Sequence, residues 1–270
     1  MGFKDKVIWI TGASSGIGEH LTYALADEGA RLILSSRNEK ELQRVKDNCQ
    51  NDCNILILPL DITDFEAMQP AVHKAVEAFG KIDLLINNAG LSQRSLIKET
   101  MLAVDRRIME VNYLGTVAMT KAVLPVMLAQ GHGHIAVVSS VMGIIGVPWR
   151  SAYAASKHAL HGYFDSMRSE MFRDNIKVTI LCPGYVRTNV TINALRGDGS
   201  RNNQMAEETS KGMDPTFCAR KMLRAIERER EETYIGGWEL SAIYVKRFTP
   251  WLFSYVVKRL RFSAQGMRRR

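Results

Sequence analysis

Seven short runs of β-branched and apolar residues, separated by longer stretches with helical periodicity, constrain this chain more than any other feature of it. The runs are Val7 to Ile10, Arg31 to Ser35, Ile55 to Leu58, Leu84 to Asn87, His134 to Ser139, Lys177 to Leu181 and Glu232 to Ile235. Strand and helix in alternation make βαβ units, whose strands pair in parallel and need cover on both faces. The predicted fold is α/β: a doubly wound parallel sheet of Rossmann type, a single domain of seven strands over residues 1–239 with helices on both faces. With 270 residues, 46% of them hydrophobic, the chain has ample material for that core.

The first run leads straight into Thr11-Gly12-Ala13-Ser14-Ser15-Gly16-Ile17-Gly18, and a helix is expected from Glu19 to Glu28. Glycines let the backbone turn sharply and approach a pyrophosphate, whose charge the helix N-terminus then meets. Gly12, Ser14, Ser15, Gly16, Ile17 and Gly18 are accordingly candidate cofactor contacts; a tight connection without a ligand is the alternative. In dinucleotide folds the end of the second strand carries an acid for ribose hydroxyls or a base for a 2′-phosphate. Here that stretch is Leu34-Ser35-Ser36-Arg37, with no acid, and Arg37 offers a planar fork suited to phosphate. This favours NADP (NADPH) over NAD, unless Arg37 is simply a solvated residue at a helix start.

Tyr153 and Lys157 lie one helical turn apart in Ala152-Tyr153-Ala154-Ala155-Ser156-Lys157, so both project from one face. Bringing a phenol from its usual pKa of about 10 down to roughly 7 needs about 4 kcal/mol in favour of phenolate. A cation about 4 Å away supplies roughly that much at an effective dielectric near 20. The spacing is common on solvated helices, so its meaning depends on the residues around it.

Taken in order, the Thr11 to Gly18 turn, Asn87-Asn88-Ala89-Gly90, Asn112, Ser139-Ser140, Tyr153 with Lys157, and Pro183-Gly184-Tyr185-Val186-Arg187-Thr188 resemble the short-chain dehydrogenase/reductase family from Lys6 to about Ile235. Ser151 to Ala159, Pro183 to Asn189 and Gly197 to Arg201 look like its membrane-associated type-seven branch, which is similar to the 11β-hydroxysteroid dehydrogenase type 1 group. The resemblance implies an oxidoreductase moving hydride between NADP(H) and a carbonyl or alcohol. Tyr153 would be general acid/base, Lys157 would lower its pKa and hold the nicotinamide ribose, and Ser140 would bind the substrate oxygen. Asn112 would anchor a water linking Lys157 to solvent; a helix Asn bonded to backbone is the other reading. Ser139 would be structural. Asp61 and Ile62 would meet the adenine, Asn88, Ala89 and Gly90 the adenosine ribose, and Pro183, Gly184, Val186 and Thr188 the nicotinamide side. Asp61 could instead cap a helix before Phe65. An NAD-dependent alcohol dehydrogenase and a nucleotide-binding sensor without turnover are the competing functions. Dimers or tetramers, pairing through the helices after the fourth and fifth strands, are implied with the rest.

Substrate choice falls to the loop 185–213, where apolar Val190, Ile192 and Leu195 mix with Arg187, Arg196 and Arg201. The mixture suits a hydrophobic substrate, of lipid, steroid or retinoid kind, with a polar or anionic end. Arg94, Trp149 and Arg150 border that pocket or else lie on the surface. No metal site is expected: Cys49 and Cys53 have no nearby partner ligand, and His132 and His134 are placed on the surface.

The net charge of +8 resides in the basic tail 240–270, which carries eight basic residues and no acid, so nucleic acid is not an expected partner. Within it, Thr249 and Pro250 start a helix that puts Leu252, Phe253, Val256, Val257 and Leu260 on one side. The segment 249–270 either makes peripheral contact with a membrane surface or packs on the domain or a second subunit. Met1 to Ile10 lacks a basic flank and apolar core of the leader kind, so a cytoplasmic location is expected.

Overall fold

The computed structural model describes residues 2–50 and 54–259. All seven expected strands form: β1 (Val7–Thr11), β2 (Arg31–Ser35), β3 (Ile55–Ile57), β4 (Leu84–Asn87), β5 (Gly133–Val138), β6 (Ile176–Pro183) and β7 (Glu232–Ile235). They pair in parallel in the order β3-β2-β1-β4-β5-β6-β7. After β3 the chain crosses to the other side of β1 to lay down β4, so the loops leaving β1 and β4 diverge in opposite directions. That divergence opens a crevice at the C-terminal edge of the sheet, where ligands of such folds bind.

Burial on both faces follows from the two-residue period of the strands. In β1, Val7 and Trp9 join one apolar cluster while Ile8 and Ile10 join the other, and all four are fully buried. Each such side chain contributes roughly 1.5–3 kcal/mol relative to exposure. The first face is covered by α3 (Met68–Phe79), α5 (Gly115–Gln130) and α6 (Ser151–Glu170), through residues such as Val72, Val123 and Phe164. The second is covered by α1 (Gly16–Asp27), α2 (Glu39–Asp47) and α8 (Pro215–Glu227), through Leu25, Leu42 and Met222.

Two expectations change. The first helix begins at Gly16, not Glu19, because the last glycines of the turn are themselves its opening turn. His134 lies in β5 as its run implies, but it is half-buried and not a plain surface residue; its Nε2 stands 2.8 Å from Thr179 Oγ1, and burial lowers its pKa to about 4. The loop 185–213 is ordered: its ends meet where Val186 pairs with Met213, and its middle is stitched to the segment after β4 by Leu195 N donating to Ser92 O and Arg94 N donating to Leu195 O. A one-turn helix, α7 (Glu207–Ser210), lies within it.

Ahead of α5, the helix α4 (Leu102–Met109) runs through a π-turn at Glu110–Leu114, making one apolar rod from Leu102 to Gln130. It is long and apolar enough to cross a membrane, yet half of its apolar window is buried inside the protein, as suits a core helix. Beyond β7 come α9 (Ser241–Phe248) and α10 (Pro250–Arg259). Ile243 buries against Val141 and Ile145, with Phe253 partly buried beside them, and Lys246 Nζ donates to Ile144 O at 2.9 Å. Of the expected apolar face, Leu252, Phe253 and Val257 are half-buried and Val256 is exposed, while Leu260 lies outside the described residues, as do Cys53 and Arg261 onward.

Candidate active site

The floor of the crevice is one hydrogen-bonded piece. Asn88 Nδ2 donates to the carbonyls of Thr11 (3.0 Å) and Gly12 (3.1 Å), while Thr11 Oγ1 accepts from the amides of Asn88 (3.1 Å) and Ala89 (3.2 Å). Gly12 takes φ +66°, in the left-handed region that favours glycine. A Cβ on Gly18 would collide with the Gly12 carbonyl, so the turn closes only with hydrogen there. Ser15 stands at the start of α1 without a side-chain cap, which leaves the helix's first amides free for an anion. These features fit a dinucleotide pyrophosphate.

At the other end of that groove Arg37 is exposed, and its Nη1 stands 3.9 Å from Asp61 Oδ2. Burial opposes the Asp61 charge, but the Thr63 amide and hydroxyl and the Arg37 guanidinium outweigh it and hold the carboxyl below its usual range. Asp61 Oδ1 accepts from Thr63 N (3.0 Å) and Thr63 Oγ1 (2.8 Å), so it caps a turn, whereas α3 starts later, at Met68. Ile62 is buried beside it.

The four expected catalytic residues converge over β5. Ser140, the residue after Ser139 at the strand's end, opens a short 3-10 turn over Val141–Gly143 and its Oγ accepts from Met142 N (3.1 Å). Desolvation raises the pKa of the Tyr153 phenol; a hydrogen bond with the Ser140 hydroxyl and the charge of Arg150 pull it partly back. Lys157 is buried, its Nζ 5.8 Å from the Tyr153 ring centre and donating to Val138 O at 2.7 Å. Burial brings its pKa down to about 8. Here the ammonium turns down to a strand carbonyl while staying beside the Tyr153 ring, and Arg150 adds a second positive charge near the phenol.

Asn112 is fully buried in the π-turn. Its Oδ1 accepts from Leu91 N (2.7 Å) and its Nδ2 donates to Leu91 O (2.9 Å) and Ser156 Oγ (2.9 Å), tying β4's continuation to α6. Its Oδ1 and Lys157 Nζ both face Gly90: a Cβ there would lie 3.2 Å from the first and 3.7 Å from the second. Ser139 is buried away from the crevice, 3.0 Å from His161 Nε2. Below it His161, Cys182 and Glu232 form a compact polar group with ligand-type atoms within 4.8 Å of one another. Burial pushes the Cys182 thiol well above its usual range, so the group holds a neutral thiol.

On the far wall, Pro183 ends β6, Gly184 N donates to Ile235 O (2.8 Å), and Val186 is buried. Thr188 closes over the glycine turn, its Cβ and Cγ2 lying 3.3 Å from where a Gly16 Cβ would stand. One feature of the site has only a faint trace in the sequence. Arg150, immediately before α6, is 6% exposed, and its Nη1 donates to Ser92 Oγ (2.7 Å) and Gln93 O (2.8 Å). Gln93, wholly buried, in turn accepts from Ala152 N at Oε1 (2.9 Å). The basic residue three before Tyr153 could have been marked as its neighbour across one turn; its burial could not.

The sequence of residues 6–198 matches the family model described as short chain dehydrogenase. Among curated relatives, human dehydrogenase/reductase SDR family member 7 is 44% identical over 253 residues, covering 91% of this chain and 75% of its own length. Dehydrogenase/reductase SDR family member 7B of Xenopus tropicalis is 40% identical over 260 residues, covering 93% and 84%. Among solved structures, a short chain dehydrogenase/reductase from Burkholderia phymatum in complex with NAD superposes with TM-score 0.84 at 25% identity, covering 93% of this chain and 96% of the other.

Proposed function

The chain belongs to the short-chain dehydrogenase/reductase family, and from that premise we propose that it reduces a carbonyl of a hydrophobic substrate with NADPH, with Tyr153 as the acid and the reverse oxidation available at high pH. The observation that carries this is the meeting of the Tyr153 phenol with Ser140 just beyond the end of β5, beside Lys157. Bound at the Gly12 to Gly18 turn, the dinucleotide would supply the hydride.

Ser140 and Tyr153 would hold the substrate oxygen between two hydroxyls. As negative charge grows on that oxygen, both hydrogen bonds strengthen, which is where such donors lower a barrier. Tyr153 then gives up its proton. A phenol whose pKa is raised by desolvation stays protonated at neutral pH, so the site suits the acid role, and oxidation needs alkaline conditions to make phenolate. Lys157 would hold the ribose hydroxyls, and its position beside Gly90 with Asn112 supports a water link returning the proton.

For the 2′-phosphate, the support is Arg37 at the end of β2 with no competing acid in that strand, since Ser35 is spent on Leu58 O (2.7 Å) and Trp9 Nε1 (2.9 Å). Steady-state assays of NADPH and NADH oxidation with hydrophobic ketones and aldehydes test the whole reading. Tyr153→Phe is expected to lose about 10³-fold or more in kcat while still binding NADPH; full activity would overturn the mechanism. Arg37→Ala should weaken NADPH by about tenfold or more, the scale of a charge-assisted contact, and leave NADH unchanged. An unaltered NADPH preference would overturn the cofactor assignment.

Two further properties belong to this reading. Exposed Trp238, Tyr244, Phe248, Trp251 and Tyr255, set among Arg247, Lys258 and Arg259, support peripheral attachment to an anionic membrane surface. Exposed Leu114 and Leu128 on the helix rod of α4 and α5 support homo-oligomers that pair through this rod.

A further inference from the structure

We propose that Arg150 is a carboxylate-binding residue of the substrate site, and that the substrate is an amphipathic oxo-acid presenting its carbonyl to Tyr153 and its carboxylate to Arg150. This deepens the reading above and rests on it for the carbonyl.

The guanidinium's Nη1 is fully engaged, donating to Ser92 Oγ and Gln93 O at 2.7 and 2.8 Å. Nη2 and Nε have no protein partner among the described residues, and no carboxylate there lies within ion-pair distance of the group. Yet no buried side-chain nitrogen in the described structure lacks a hydrogen bond, so these N–H groups are not sealed in the core. In a residue only 6% exposed, the free Nη2–Nε edge keeps a narrow opening, which we take to face the crevice beside Tyr153 and Tyr185. That edge is the side-on fork that receives both oxygens of a carboxylate in parallel.

Its surroundings agree. Arg150 stands at the N-terminal boundary of α6, one turn before Tyr153, and is in electrostatic reach of the phenols of Tyr153 and Tyr185, which puts it on the reacting side of the crevice. Arg94, on the segment stitched to the substrate loop, adds a second positive charge. Glu208 on α7 is a carboxylate in the same field, too far for an ion pair. Buried charges are ordinarily paired; an arginine pinned by one nitrogen, with its fork unpaired toward a binding site, is the arrangement for an anion that arrives from outside. The half-buried Val147 and Trp149 just before it would meet the apolar body of such a ligand.

The test is calorimetric titration of the full chain, with and without NADPH, using octanoate and its neutral counterpart octanamide. The wild-type protein should bind octanoate about tenfold to a hundredfold more tightly, the range expected of a charge-assisted bidentate contact. Arg150→Met should raise the octanoate Kd to that of octanamide and leave octanamide unchanged, and Arg150→Lys should keep only part of the preference. Equal wild-type affinities for the two probes would overturn the proposal, whatever the variants do, as would undiminished octanoate binding by folded Arg150→Met. An equal loss for both probes in Arg150→Met would overturn it too, marking the guanidinium as scaffolding for Gln93. Binding needs no turnover, so a protein that prefers octanoate but oxidises no NADPH would sink the proposed reaction and spare this site, and the converse result would do the opposite.

Discussion

Lys157 is held in this fold against its own solvation. Its pKa falls from 10.5 to about 8 through burial, and its stabilising partner is a single carbonyl, Val138 O. The sign follows from proton counting. Between about pH 8 and 10.5 the unfolded chain keeps a proton that the folded chain has lost, so stability rises with pH through that window; below it, the burial cost is felt in full. That cost is roughly 3 kcal/mol at 1.36 kcal/mol per pKa unit, less about 1 kcal/mol for the hydrogen bond. Lys157→Met is therefore expected to be inactive and more stable than wild type by about 2 kcal/mol at pH 7, visible as a higher Tm in thermal melts; a lower Tm would refute the account. The identity of this group was legible in the sequence because Tyr153 and Lys157 are one turn apart on one helix. The anchoring of Lys157 and of Arg150 was not, because it depends on where β5 offers a carbonyl and on Ser92 and Gln93, 58 and 57 residues from Arg150.

At the scale of elements, the strands were readable almost to the residue because their apolar runs have no other way to be buried, whereas the segment 185–213 was not. Its order comes from bridges to remote partners, Gln93 with Leu195 and Val186 with Met213, which leave no periodic trace. The C-terminal helices divide the same way. Pro250 marks the start of α10 in the sequence, but the split of its surface between packing and exposure depends on Val141 and Ile145, far upstream. Phe253 faces inward while Trp251 and Tyr255 are 72% and 53% exposed. Replacing Trp251 and Tyr255 by Ser should thus cost little stability and reduce cosedimentation with phosphatidylserine vesicles severalfold, since interfacial binding scales with buried apolar area and with attraction to anionic lipid. Unchanged sedimentation would remove α10 from the membrane reading. On the rod of α4 and α5, the proposed homo-oligomer should shift toward monomer in Leu114→Glu by light scattering, and an unmoved mass would exclude that face.

For the whole molecule, the acid limb of stability is set in part by His134. Its pKa, lowered by burial from 6.5 to about 4, means that the folded protein refuses a proton which the unfolded chain accepts between those values. Stability should fall as the pH drops from about 6.5 toward 4, by roughly 3 kcal/mol from this residue. His134→Gln, which can still bond Thr179, is expected to flatten that limb in urea unfolding series at pH 4 to 7; a limb of unchanged steepness would assign the acid loss elsewhere. The sheet order carries a last consequence, for synthesis. β1 is the first strand made and occupies the middle of the sheet, yet its second neighbour, Leu84 to Ile86 opposite Ile8 to Ile10, lies more than seventy residues downstream. On a ribosome adding about 5–20 residues per second, Ile8 and Ile10 wait on the order of ten seconds for that partner. Until then, the strand that later supports the glycine turn has one unpaired apolar edge, the kind of transient exposure that favours aggregation during synthesis.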